Sequence, residues 1–136
     1  MWTLDIVAGE GRVGNEAGGN GLETTQLSNF TATSDNSGAK ELWRGPWAGI
    51  SRTNWILTNI DKSPKISDAK KTQYKGEAHF LRGLYYFNLV RLFGDVPWID
   101  KQQTASDDLQ VSRTSKDIVY QHIIDDFSDA ASMLPA

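Results

Sequence analysis

The amino-acid sequence predicts an all-α fold, a helical hairpin followed by a third helix, behind a long Gly-rich N-terminal loop region. Three observations predict it. Apolar residues recur at spacings of three and four in three separate segments, the period of a helix face. A proline follows each segment, at Pro64, Pro97 and Pro135, where a helix cannot run on. Residues 1 to 38 hold most of the glycines, together with many Asn, Thr and Ser, a composition that reads as loop. At 136 residues the chain is expected to be a single domain, residues 39–136 being its helical part, able to bury roughly two-thirds of the surface exposed when unfolded.

Within the first segment, Gly9-Glu10-Gly11-Arg12-Val13-Gly14 satisfies the dinucleotide-binding pattern GxGxxG. That pattern works by aiming a helix N-terminus at a pyrophosphate, whereas Asn15-Glu16-Ala17-Gly18-Gly19-Asn20-Gly21 follows here and cannot hold a helix. The nucleotide reading is rejected. From about residue 40 to 60 runs a helical pattern with Trp43, Trp47, Ile50 and Leu57 on one stripe, interrupted by Asn54. Gly45-Pro46 complicates it: either the helix bends near residue 45, or Pro46 lies in its first turn and the residues before form a separate turn. The short connection Asp61 to Ile66 joins this helix to an antiparallel neighbour.

That neighbour, over residues 67–93, is the most apolar part of the chain. Tyr74, Ala78, Leu81, Tyr85, Leu89 and Leu92 form one stripe, and Phe80, Leu84 and Phe87 a second. A helix apolar on two faces is expected to lie between neighbours, packing on the first through Trp47, Ile50, Leu57, Leu81, Tyr85 and Leu89. Ser67 and Asp68 suit its start and Gly94 its left-handed end. Gly83 costs about 1 kcal/mol against alanine in mid-helix, so a close approach by another backbone is expected there.

Residues 98–113 lack periodicity, and loops of this length in compact domains are usually functional or mobile. Thr114-Ser115-Lys116-Asp117 resembles a capping box with Asp in place of Glu. It opens a third helix with Tyr120, Ile123, Phe127, Ala130 and Leu134 inward and Asp125, Asp126 and Asp129 on the wet side.

Seventeen acidic against fourteen basic residues, a net charge of −3 and no basic run exclude nucleic acid as an expected partner. With no cysteine there is no disulfide, thiolate metal site or cysteine nucleophile in these residues. The most apolar stretch is broken by Asn88 and Arg91, short of the ~18 apolar residues of a membrane span. Met1 to Ala8 lacks the basic start of a signal peptide. His122 and Asp126, four apart, are only two potential ligands and read as a solvated pair, so no metal or cofactor is expected. His79 reads as part of a local network with Glu77 and Arg82, and Arg82 or Arg91 as a partner for Asp95 or Glu77. Aromatics suit sugar rings, whose C–H faces pack on them. Trp43, Trp47 and Trp55 lie on a helical pattern and read as core, leaving Trp2 and Trp98 as the better candidates. The sequon Asn29-Phe30-Thr31 is too short a pattern to say much.

GEAHFLRGLYYFNLVRLFGDVPWI closely resembles the signature of the SusD/RagB outer-membrane nutrient-binding lipoproteins of Bacteroidetes. WRGPWAGISRTNWILTNID and VSRTSKDIVYQHIIDDFSDAASMLP resemble, in order and spacing, the helices before and after that signature, so the resemblance runs from about Lys40 to Pro135. It implies a tetratricopeptide-like all-α scaffold on the outer face of the outer membrane. It implies capture of oligosaccharides or related nutrients, without catalysis, for delivery to a SusC-like TonB-dependent transporter. The family binds ligand through loops, which places candidate contacts at Trp2, Arg12, Asn15, Asn20 and Trp98. Family members are longer, start with a lipidated cysteine after a signal peptide and continue past the equivalent of Pro135. The chain is therefore expected to be an N-terminal fragment holding part of a ligand site, and Pro46 departs from the family pattern.

Two other readings compete. An all-α interaction scaffold would need no aromatics in the loops at 9–38 and 94–113, and an enzyme would show a pocket joining His79 or His122 to a carboxylate pair. A third helix without a partner also leaves one side of the hairpin, and whatever of Val119 and Ile124 points outward, uncovered, so the isolated chain is expected to self-associate or to be only marginally folded.

Overall fold

The structure, a computed structural model, describes residue 8, residues 21–104, 106, 107 and 110–135, apart from the side chains of 21 and 22. Among these residues there are four α-helices and no strand: α1 (Gly21–Ser28), α2 (Ser37–Asn59), α3 (Asp68–Phe93) and α4 (Lys116–Met133), with a 3₁₀ turn at Ile60–Lys62. The predicted elements at 40 to 60 and 67 to 93 are thus α2 and α3. The dinucleotide-like pattern at Gly9 lies outside the described residues. Contacts divide the chain into two compact units, Met1–Arg44 and Gly45–Ala136.

The first unit corrects the reading of residues 1–38 as loop throughout, because α1 forms inside it. Leu27 and Thr24 are buried, and Asn36 holds the unit together. The Asn36 Oδ1 accepts from the Gly38 and Ala39 amides at 2.9 and 3.2 Å, capping α2, while its Nδ2 donates to the Glu23 carbonyl at 2.8 Å and to Gln26 Oε1 at 3.0 Å. α1 ends in a Schellman turn, with Phe30 N–H to the Leu27 carbonyl and Thr31 N–H to the Gln26 carbonyl. Phe30 takes the left-handed position usually given to glycine, at φ 57°.

α2 runs through Gly45-Pro46 as one helix, with Pro46 inside it. Proline offers no N–H, so one rung of the helix ladder is lost at the division between the units. In the second unit α3 is the shared element. Trp47 meets Tyr86 edge-on, Gly49 lies under the Tyr85 ring and Asn54 reaches Arg82, so α2 descends as α3 ascends. α4 covers a second side of α3, again antiparallel: Gly76 faces Met133 and Leu134, and Gly83 faces Asp126 and Phe127. A Cβ added at Gly83 would sit 2.9 Å from the Phe127 ring, so the close approach is real, but a side chain makes it.

The buried side of α3 keeps Ala78 and Leu89 of the predicted stripe and departs from the rest of it. Ala78, Arg82, Tyr86, Leu89 and Val90 face inward, whereas Tyr74, Phe80, Leu81, Leu84 and Leu92 are exposed, Leu81 at 39%. The inward surface is where two glycines admit the α4 side chains, and hydropathy alone cannot register that. On α4, Ile123 and Ala130 are buried as expected, but so are Val119 and Asp126, while Tyr120 and Ile124 are exposed. Trp55, read as core, is exposed.

Candidate functional site: the clamped loop after the long helix

Gly94 ends α3 at φ 69°, its amide bonded to the Val90 carbonyl at 2.9 Å. The next residues knit two helices together. The Asp95 carboxylate accepts the Lys116 N–H at 2.8 Å, so the anion at the positive end of α4 comes from twenty-one residues upstream. Ser115 is the N-cap but makes no side-chain cap bond, and the capping box read at Thr114 is not used. Asp95 is therefore the partner of α4 and not of Arg82 or Arg91. Val96 is fully buried and pairs with Thr114, whose N–H reaches the Val96 carbonyl at 3.0 Å.

Beyond this neck the chain is tied back onto α3. The Tyr86 hydroxyl accepts the Ile99 N–H at 2.7 Å and donates to the Ile99 carbonyl at 3.1 Å. Burial, opposed by the Ile99 hydrogen bond and the Arg82 charge, pushes the Tyr86 phenol well above its ordinary range. It stays a neutral donor and acceptor. Trp98 stacks on His122 with centroids 4.4 Å apart and leans on Tyr86 at 4.2 Å, with the Arg82 guanidinium 5.6 Å from its ring. Asn59 Nδ2 holds Gln102 Oε1 at 2.9 Å.

Under the loop lies a charged network. Arg82 makes a fork to Asp126, Nε to Oδ2 at 2.8 Å and Nη2 to Oδ1 at 2.7 Å, and its Nη1 donates to Asn54 Oδ1 at 2.9 Å and the Asp100 carbonyl at 3.0 Å. His79 Nδ1 lies 2.8 Å from Asp126 Oδ1, and because an ionised carboxylate only accepts, Nδ1 carries the proton. Burial pushes the Asp126 carboxyl up, but the hydrogen bonds from Arg82 and His79 and their charges together outweigh it and hold it below the usual range. Asn54 Nδ2 donates to the carbonyls of Ile99 at 2.8 Å and Lys101 at 3.3 Å.

These distances correct several pairings. Asp126 is on the dry side, Arg82 bonds to it across the helices, and His79 joins that pair and not Glu77. His122 spends its ring on Trp98. The signal was present: Asp126 lies three residues after Ile123 and four before Ala130, on the inward stripe, but an acidic residue in such a pattern reads as solvated. Asn54 likewise marks an interrupted apolar stripe. Among the described residues no group of three or more His, Cys, Asp or Glu is placed to hold a metal.

Two shallow depressions flank residues 99–103. One of about 250 Å³ is lined by Trp98, Asp100, Lys101, Asp107 and Val111, the other of about 240 Å³ by Trp47, Ile50, Ser51 and Asn54, and both share Ile99, Lys101 and Gln103. The Asp107 carboxyl is held low by the Thr104 N–H at 2.6 Å and then by the Thr104 hydroxyl, which fixes a small turn at the rim. Trp98 is the candidate contact placed here. Trp2, Arg12, Asn15 and Asn20 lie outside the described residues.

An antiparallel set of helices that clamps a long loop by a buried ion pair defines an all-α scaffold that presents a shaped loop. Residues 8–136 match the family described as SusD-like, starch-binding, associating with outer membrane. SusD-like protein P2 of Formosa agariphila is 33% identical over 111 residues, 81% of this chain and 22% of that protein. Among solved structures, a laminarin-binding SusD-like protein superposes with a TM-score of 0.78 at 30% identity, covering 88% of this chain and 25% of that one. A SusD superfamily protein from Parabacteroides distasonis gives 0.73 at 31% identity, covering 81% and 24%. The chain belongs to the SusD-like family, and it spans about a fifth of the length of the curated relatives it matches.

Proposed function

We propose that the chain is part of a nutrient-binding protein on the cell-surface side of the bacterial outer membrane, lipid-anchored when complete, that captures oligosaccharides for a SusC-like TonB-dependent transporter. The observation that carries this is the match of residues 8–136 to a family described by starch binding and outer-membrane association. The similar laminarin-binding structure supports a glucan as ligand. Each depression is smaller than the roughly 300 Å³ at which pockets begin to enclose a drug-sized molecule, a size for one sugar ring laid on a surface. Lys101, Gln103 and Asp100 would meet hydroxyls, with Trp98 at the rim. Trp2, Arg12, Asn15 and Asn20 remain proposed contacts of the glycine-rich segment.

Binding without catalysis is part of the same reading, and both histidines are engaged: His79 bonds Asp126, which itself holds Arg82, and His122 is stacked on Trp98. Titration of ¹⁵N-labelled protein with laminarin oligosaccharides and with maltooligosaccharides tests it. Saturable shifts at 98–103 are the expected outcome, and shifts confined to the helix faces would overturn the loop as the site.

A further inference from the structure

We infer that Asn54 is a positioning residue for the wall that the two depressions share, converting the buried charge pair into the shape of residues 99–101. The inference rests on the reading of that wall as the ligand site. Asn54 is 1% exposed and lies between groups that leave its amide no choice of orientation. The Arg82 guanidinium can only donate, so the Asn54 oxygen must face it, at 2.9 Å. The backbone carbonyls of Ile99 and Lys101 can only accept, so the amide nitrogen must face them, at 2.8 and 3.3 Å. Arg82 is itself aimed by its two-point fork to Asp126, and its Nη1 takes the Asp100 carbonyl lying between the two that Asn54 holds. Three successive loop carbonyls are therefore held by two side chains whose own orientation is dictated from α4. Among the described residues, the Tyr86 hydroxyl also holds Ile99 and the half-buried Asn59 amide holds Gln102.

Asn54→Asp separates loop positioning from helix packing. The carboxylate keeps an oxygen for Arg82 but turns its second oxygen on two carbonyl oxygens, so the loop is released while the Arg82–Asp126 fork stays. The expected result in the 136-residue chain is exchange at least tenfold faster at the Ile99 N–H, the amide of this stretch that is bonded, and faster tryptic cleavage after Lys101, with protection in α3 and α4 retained. Wild-type exchange at Ile99 together with wild-type cleavage after Lys101 would overturn the inference. In the unsubstituted protein, the Asn54 side-chain NH₂ protons should exchange slowly, and exchange as fast as at the exposed Asn29 would overturn it independently of any variant. Glycan titration keeps the two readings apart. A released loop with weakened laminarin binding sustains both, whereas a released loop with unchanged binding sustains the positioning role and overturns the depressions as the site.

Discussion

A guanidinium taken out of water must find acceptors for its donors, and Arg82 finds them in Asp126, Asn54 and the Asp100 carbonyl. Such a pair is costly to assemble and more costly to break singly, because the surviving charge stays buried. Asp126→Asn should therefore cost about 3 to 5 kcal/mol, read as a lower midpoint in urea. The same carboxyl sets an acid limit. Its folded-state pKa lies below the unfolded value of roughly 3.9, so its contribution is fully present above that value and is lost as pH falls through the lower, folded one. Stability should fall less steeply below about pH 4 in Asp126→Asn than in the wild type, and equal slopes in acid titrations would assign the acid sensitivity elsewhere. The positions were legible and the partners were not. Periodicity puts Asp126 on the inward stripe of α4 and Asn54 within that of α2, but it cannot name partners forty-four and forty-five residues away.

At the scale of elements the helices were largely legible, for local reasons. Gly94 ends α3 at a positive φ that favours glycine, as its position after the apolar run implied, and Ser67 stands at the N-cap before Asp68 without a side-chain cap bond. The choice of face was not legible, since α3 is apolar nearly all round and its neighbours decide which side is dry. Leu89→Ala, at a fully buried position, should cost about 2 to 5 kcal/mol, whereas Leu81→Ala on the exposed side should cost well under that. Paired thermal melts check this, each kcal/mol being worth several degrees. Helix α4 begins on a cap from far along the chain. Asp95→Ala should cost about 0.5 to 2 kcal/mol and raise amide exchange selectively at Lys116 to Val119, a pattern that a general loss of stability would not give.

For the molecule as a whole, the exposed side chains matter most. The ring of Phe80 on α3 packs at a tilt against that of Phe127 on α4, with centroids 5.7 Å apart, and Leu84, Tyr120 and Ile124 are exposed on the same two helices. Such a concentration of uncovered large apolar side chains is unusual on a monomer. The 136-residue chain by itself should sediment with a concentration-dependent mass that Phe80→Lys with Ile124→Lys reduces. A strictly monomeric wild type across the micromolar range would show that the face is tolerated in water. None of the described helices is long and apolar enough to cross a membrane. The all-α class and family were therefore readable from three segments, whereas α1, inside the glycine-rich stretch, was not, because Asn36 stabilises it from outside its own span.

The neck formed by Asp95, Val96, Thr114 and Lys116 has a consequence for descent as well as for folding. Because both ends of the intervening segment are anchored to each other before either reaches the helices, lengthening it costs only the closure entropy of a larger ring, roughly 0.6 kcal/mol for a doubling. Helix ends on either side do not register the change. Lineages can thus insert, delete and exchange residues beyond 103 by small mutational steps while inheriting the same framework, without passing through unfolded ancestors.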